Sequence, residues 1–123
     1  MRRLRGAALV LLGAFFIAAG ALHFLKLPTY ARIVPPWLPA HVLLVQMSGV
    51  CEILGGIGVL LPRTRRAAGI GLIALLIAVF PANLFMATHS ATFADLAPAP
   101  VLWLRLPLQI VAIAWVSWLC LRR

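Results

Sequence analysis

Four apolar runs, at residues 6–25, 40–61, 67–88 and 101–121, take up most of the 123-residue chain. A bilayer's hydrocarbon core is roughly 30 Å thick and takes about 20 helical residues to cross. Each run is therefore predicted to span a membrane once. Inside lipid every backbone N–H and C=O must find a partner within the protein, which leaves helices as the economical solution for separate runs. The expected fold is all-α, an integral membrane four-helix bundle forming one domain over 1–123. A composition that is 64% hydrophobic leaves too little polar material for a water-facing surface.

The eleven Lys and Arg against two acids would suggest nucleic acid in a soluble protein. Their positions argue otherwise. Arg2, Arg3 and Arg5 precede the first run, Arg63, Arg65 and Arg66 separate the second from the third, and Arg122 and Arg123 follow the fourth. The connections on the other side carry only Lys26 and Arg32. Positive residues favour the cytoplasmic side, so both termini and the 63–66 turn are expected there, close to anionic lipid headgroups. No basic surface interleaved with aromatic residues exists, and nucleic acid is set aside as a partner.

The start of the chain has the outline of a secretory signal, with arginines, an apolar run and the small residues Ala19, Gly20 and Ala21. The run continues through His23, Phe24 and Leu25, beyond the usual apolar length of about 7–15 residues. It is expected to be retained as the first span. Cys51 and Cys120 fall at depths differing by roughly 14 Å at 1.5 Å per helical residue, too far apart for a disulfide, and no Cys/His spacing matches a metal site. Both are expected to be small apolar packing residues.

Segment 26–39 (KLPTYARIVPPWLP) is too apolar for a solvated loop and too broken by proline to span. Tyr30 and Trp37 suit a membrane–water interface. The segment is expected to lie across the outer mouth of the bundle, as an interfacial anchor or as a lid. Segment 89–100 (HSATFADLAPAP) is an ordinary loop that prolines keep from being helical. Ala14, Ala18 and Ala21, with Ser48, Gly55, Gly56 and Gly58, are the small residues that let membrane helices approach closely. Pro81 and Pro107 each free a carbonyl one turn earlier, near Ile77 and Trp103, and those kinks are expected to face inward.

Six polar residues lie within the spans: His23, Gln46, Glu52, Asn83, Arg105 and Gln109. All but Glu52 fall in the outer half, and they come from all four helices. A charge near the bilayer centre costs roughly 2.5–3.5 kcal/mol on insertion scales, so such groups turn inward and find partners. Glu52 is the one acid in the spans and Arg105 the one base well inside them, and these two are expected to pair. Two readings of the cluster stand: a polar clasp that holds the bundle in register, or a ligand or proton site.

The runs HF…Y…IVPPWLP, SGVCEILGGIGVLLPRTRR, AVFPANLFMA and RLPLQ resemble the DoxX family of small bacterial four-helix membrane proteins. The likeness extends from Gly13 to Trp115 and includes His23, Tyr30, Pro35, Pro39, Gly49, Glu52, Gly56, Pro81, Asn83, Arg105, Pro107 and Gln109. The resemblance implies a multi-pass protein of the bacterial inner membrane, and the family's name comes from a link to thiosulfate:quinone oxidoreduction. The chain lacks the cysteine pairs of redox-associated relatives, which argues against a dithiol mechanism.

Three function classes follow. One is a redox-linked membrane subunit that binds a quinone or another small hydrophobic molecule beneath segment 26–39. Arg105, Asn83 and Gln109 would then be donors and Glu52 a proton acceptor. Another is a non-catalytic accessory or assembly protein for a membrane or periplasmic partner. The third is a small carrier. No haem-ligand pair, metal-ligand set, nucleotide loop or nucleophile–base pair is present in the sequence.

Overall fold

The computed structural model describes residues 2–121 and is helical throughout its regular elements. Four helices are long and apolar enough to cross a membrane: α1 (Arg2–Leu25), α3 (His41–Leu60), α4 (Arg65–Thr88) and α5 (Ala99–Cys120). Segment 26–39 is more ordered than a proline-broken strip suggests, because it contains a short helix, α2 (Leu27–Ile33). Pro28 sits in its first turn, where a missing N–H costs nothing. Val34 ends it in an extended conformation (ψ 127°), as a residue ahead of proline must. After Pro39 the chain reverses at Ala40, whose φ of 51° is a left-handed conformation that alanine rarely adopts.

In space the spans follow one another as α1, α3, α4, α5, with α2 laid over α3 and touching α1 and α4. The α1–α3 interface is the most extensive. Its close approach comes from Gly13 against Gly56 and Gly20 against Gly49. Gly55 and Gly58 face α4 instead, meeting Leu72 and Ala68. Of the three alanines expected to line the α1 contact, Ala14 and Ala18 are exposed and Ala21 is half-buried. Apolar side chains cover the outside, with Leu11, Leu54 and Ile110 all exposed, as a lipid-facing surface demands.

The arginine-rich end is held by hydrogen bonds to helix termini. Arg65 Nε donates to the Val59 carbonyl (2.8 Å) and the Thr64 hydroxyl to the Gly58 carbonyl (2.8 Å), satisfying carbonyls left open at the end of α3. Arg5 and Arg66 donate to the Leu119 and Leu121 carbonyls at the end of α5. These cations sit at the negative ends of two helix dipoles. Arg122 and Arg123 lie outside the described residues.

The bundle's interior changes character along its length. Toward the arginine-rich end Leu9, Leu12, Phe16, Val59, Leu72, Val116, Leu119 and Cys120 form one dry core. Toward the other end a smaller cluster of Met86, Phe93 and Leu102, with Ile33 and Phe85, joins α2 to the α4–α5 loop. Between the two lies the cavity. Both cysteines are free thiols, and whereas Cys120 packs in the core as expected, Cys51 faces outward.

Candidate functional site

A cavity of about 540 Å³ occupies the half of the bundle away from the arginine-rich end, roofed by Tyr30, Ile33, Val34, Pro35 and Leu38. Five of the six intramembrane polar residues line it: His23, Glu52, Asn83, Arg105 and Gln109. Gln46 does not; it stands off the inward face of α3. Trp37 is 71% exposed and takes no part in the roof, which leaves Tyr30 as the aromatic of the lid.

The polar groups form two separate pairs. On one wall His23 Nδ1 lies 3.1 Å from Glu52 Oε2 and 2.8 Å from the Ala19 carbonyl oxygen. A carbonyl oxygen accepts only, so the contact with Ala19 places a proton on Nδ1. That single N–H points at Ala19, and Glu52 Oε2, though beside it, is buried without a hydrogen-bond donor. The Tyr30 ring stacks on the His23 ring, with centroids 4.3 Å apart. Burial raises the Tyr30 phenol above its ordinary pKa, so it stays protonated and able to donate.

On the facing wall Asn83 Nδ2 donates to Gln109 Oε1, and Gln109 Nε2 donates to the Leu76 carbonyl. Leu76 lies one turn before the kink at Pro81, next to the carbonyl that the proline leaves without its amide. Gln109 is itself buried. It is a bracket between α4 and α5 beside the kink. Of the two prolines expected to bend inward, Pro81 lines the cavity, whereas Pro107 is exposed.

The expected pairing of Glu52 with Arg105 is not made. Glu52 meets His23, and Arg105 has no hydrogen bond or ion pair among the described residues. The reason lies in helix direction. Side chains lean toward the N-terminus of their own helix. α1 and α3 run antiparallel, so His23 leans into the bundle while Glu52 leans toward the lid, and they converge. Arg105 leans toward the lid as well, away from Glu52's depth. The same rule brings Asn83 of α4 and Gln109 of α5 together.

Two features of the site are not legible in the sequence. Ser48 lines the cavity one turn from Glu52, and its hydroxyl has no hydrogen-bond partner among the described residues. Its place on the Glu52 face of α3 was the available signal. Arg32 of α2 holds the α4–α5 loop, with Nη1–Oδ2 and Nη2–Oδ1 distances of 2.9 and 3.2 Å to Asp95, a bond to the Thr92 carbonyl, and its guanidinium 5.5 Å from the Phe93 ring centroid. Opposite charges in the two outer connections, Lys26 and Arg32 in one and Asp95 in the other, are the clue. Among the described residues no three His, Cys, Asp or Glu side chains come together.

Residues 12–120 match a family described as Domain of unknown function (DUF8561), and the chain belongs to that family. No curated protein and no solved structure matches the chain.

Proposed function

We propose that this family member is a membrane-embedded binding subunit that takes a quinone-type molecule into the cavity below α2. In this reading it is a DoxX-like protein of the bacterial inner membrane, with both termini cytoplasmic. It serves redox chemistry carried out with a membrane or periplasmic partner. One observation carries the reading: the cavity is mostly apolar, yet polar groups converge on it from opposite walls, and three of its donors are uncommitted. The Tyr30 and Ser48 hydroxyls and the Arg105 guanidinium have no hydrogen-bond partner among the described residues. Small-molecule sites have this make-up, an apolar chamber with a few convergent polar groups. A quinone ring presents carbonyls at opposite ends and needs donors on both walls. Glu52 lines the same cavity, and in this reading its carboxylate takes a proton from a hydroxyl of the reduced ring.

The bracket of Asn83, Gln109 and the Leu76 carbonyl favours a second reading, in which the polar residues hold the bundle and the chain is an accessory protein. Extraction of the purified protein separates the two. A quinone released from the parent, and lost from a Tyr30→Phe/Arg105→Gln variant of unchanged Tm, supports the binding subunit. A co-purifying polypeptide with no extractable quinone supports the accessory role.

A further inference from the structure

α1 and α5 meet at the arginine-rich end, where Arg5 donates to the Leu119 carbonyl, and they share little contact beyond it. Further along, Phe15 of α1 and Arg105 and Leu108 of α5 line the cavity and are nevertheless exposed, Phe15 at 58% and Leu108 at 53%. A side chain that belongs to a cavity wall and also to the outer surface marks the rim of an opening. At 1.5 Å per residue these three lie about 9–15 Å below the lid-side ends of their helices. That depth corresponds to the acyl region of one leaflet, so the opening faces lipid tails.

Resting on the binding role proposed above, the geometry points to a lateral portal between α1 and α5 that admits a tail-bearing amphiphile from the bilayer. The polar head, carrying carbonyl oxygens, lies in the cavity with Arg105 at its threshold. The hydrocarbon chain passes between Phe15 and Leu108 and stays among the lipid tails. Each part of the opening suits one part of such a molecule. Phe15 and Leu108 are both apolar, so a chain crossing between them packs against hydrocarbon on either side. Arg105, without an intramolecular acceptor at a depth where an unpaired cation is costly, gains one from the head's oxygen. On the lid side α2 is tied to the α4–α5 loop by Arg32 and Asp95.

The test uses two probes on the full chain in lipid nanodiscs: a decyl-tailed benzoquinone and the same ring with methyl in place of the chain. Affinities are corrected for membrane partitioning, and the parent is compared with Phe15→Trp/Leu108→Trp, which fills the gap. The expected result is a loss of about tenfold or more for the tailed probe, equivalent to one decade in Kd, with the short probe unchanged. Equal changes for both probes, or none, overturn the portal and leave the cavity reading standing. If neither probe binds the parent, both fall together. Should the double tryptophan variant not fold, Phe15→Ala widens the gap and is expected to speed association of the tailed probe alone; unchanged rates overturn the portal.

Discussion

A methyl group placed on Gly20 would sit 2.6 Å from the Gly49 carbonyl oxygen, closer than atoms can approach. This contact sets the register of α1 against α3. Gly13 and Gly56 repeat it two turns away, so the two helices run antiparallel with no room for a side chain at either crossing. The register brings His23 within reach of Glu52. Packing at the glycines therefore determines the chemistry of one cavity wall.

Gly20→Ala is expected to lower stability by about 1–3 kcal/mol, the usual cost of overfilling a tight contact. Gly71 is the control. It lies within α4 with no atom within 4 Å of where a side chain would start, and Gly71→Ala should be neutral or stabilising by up to about 1 kcal/mol through helix propensity. Thermal unfolding in detergent measures both. A Gly20→Ala variant as stable as Gly71→Ala would show that the helices are not locked where the glycines meet.

Removing either member of the His23–Glu52 pair should cost more than half of what removing both costs. The coupling is expected in the range of about 0.5–3 kcal/mol found for interacting neighbours. Arg105→Gln should combine additively with Glu52→Gln, since Arg105 makes no ion pair among the described residues. A double-mutant cycle on Tm compares the two pairings directly. Strong coupling of Glu52 to Arg105 and none to His23 would reverse the assignment.

The contrast between these pairings shows what the sequence carries. The four spans were legible because length and hydropathy are properties of a single segment. Glu52, Gly49 and Gly56 could be placed on one face of α3 because the helical period is fixed. The glycines of α1 were passed over for its alanines, since lipid is as apolar as the bundle interior and leaves no periodic signal to tell inward from outward faces. The partner of Glu52 was missed for another reason. Counting from the expected span ends sets Gly20 about 7.5 Å deep and Gly49 about 13.5 Å deep at 1.5 Å per residue, yet they touch. That stagger, together with the opposite lean of side chains on antiparallel helices, moves His23 toward Glu52. Neither is visible in one helix alone. Arg32 and Asp95 are 63 residues apart in sequence, and only the folded loops bring them together.

The Arg32–Asp95 clamp should give the lid a pH and salt dependence. The hydrogen bond from Arg32 holds the Asp95 carboxyl below the usual aspartate range. A depressed folded-state pKa means the contribution is present above the unfolded value and is lost as pH falls through the folded one. Exchange of the amides in α2 should therefore quicken only below about pH 4. It should also quicken with added salt, because both partners are exposed and screened. Asp95→Asn should exchange at the faster rate at all pH values. A parent whose α2 exchange is flat from pH 6 to pH 3, once intrinsic rates are removed, would show that α2 is held by the Phe93 cluster alone.

Gln109 carries the last prediction, because it separates the bracket from the binding site. Its amide donates to the Leu76 carbonyl and accepts from Asn83. Gln109→Leu leaves the Asn83 amide without its acceptor and removes the side-chain donor to the Leu76 carbonyl, two bonds at once. Leaving a buried polar group unpaired costs about 1–3 kcal/mol, more than the net value of the hydrogen bond lost. Asn83→Leu strands only the Gln109 oxygen and leaves the bond to Leu76 in place, so it should cost less. The double leucine variant should recover part of the loss, because the two side chains are then replaced together. Stability in detergent tests this order. Binding of the decyl-tailed benzoquinone gives an independent reading. If the ring is held by Tyr30, Ser48 and Arg105, Asn83→Leu should keep most of its affinity even as Tm falls. Asn83→Leu more damaging to stability than Gln109→Leu would mean that the bond from Gln109 to the Leu76 carbonyl holds nothing in place, and that Gln109 belongs with the groups free to meet a ligand.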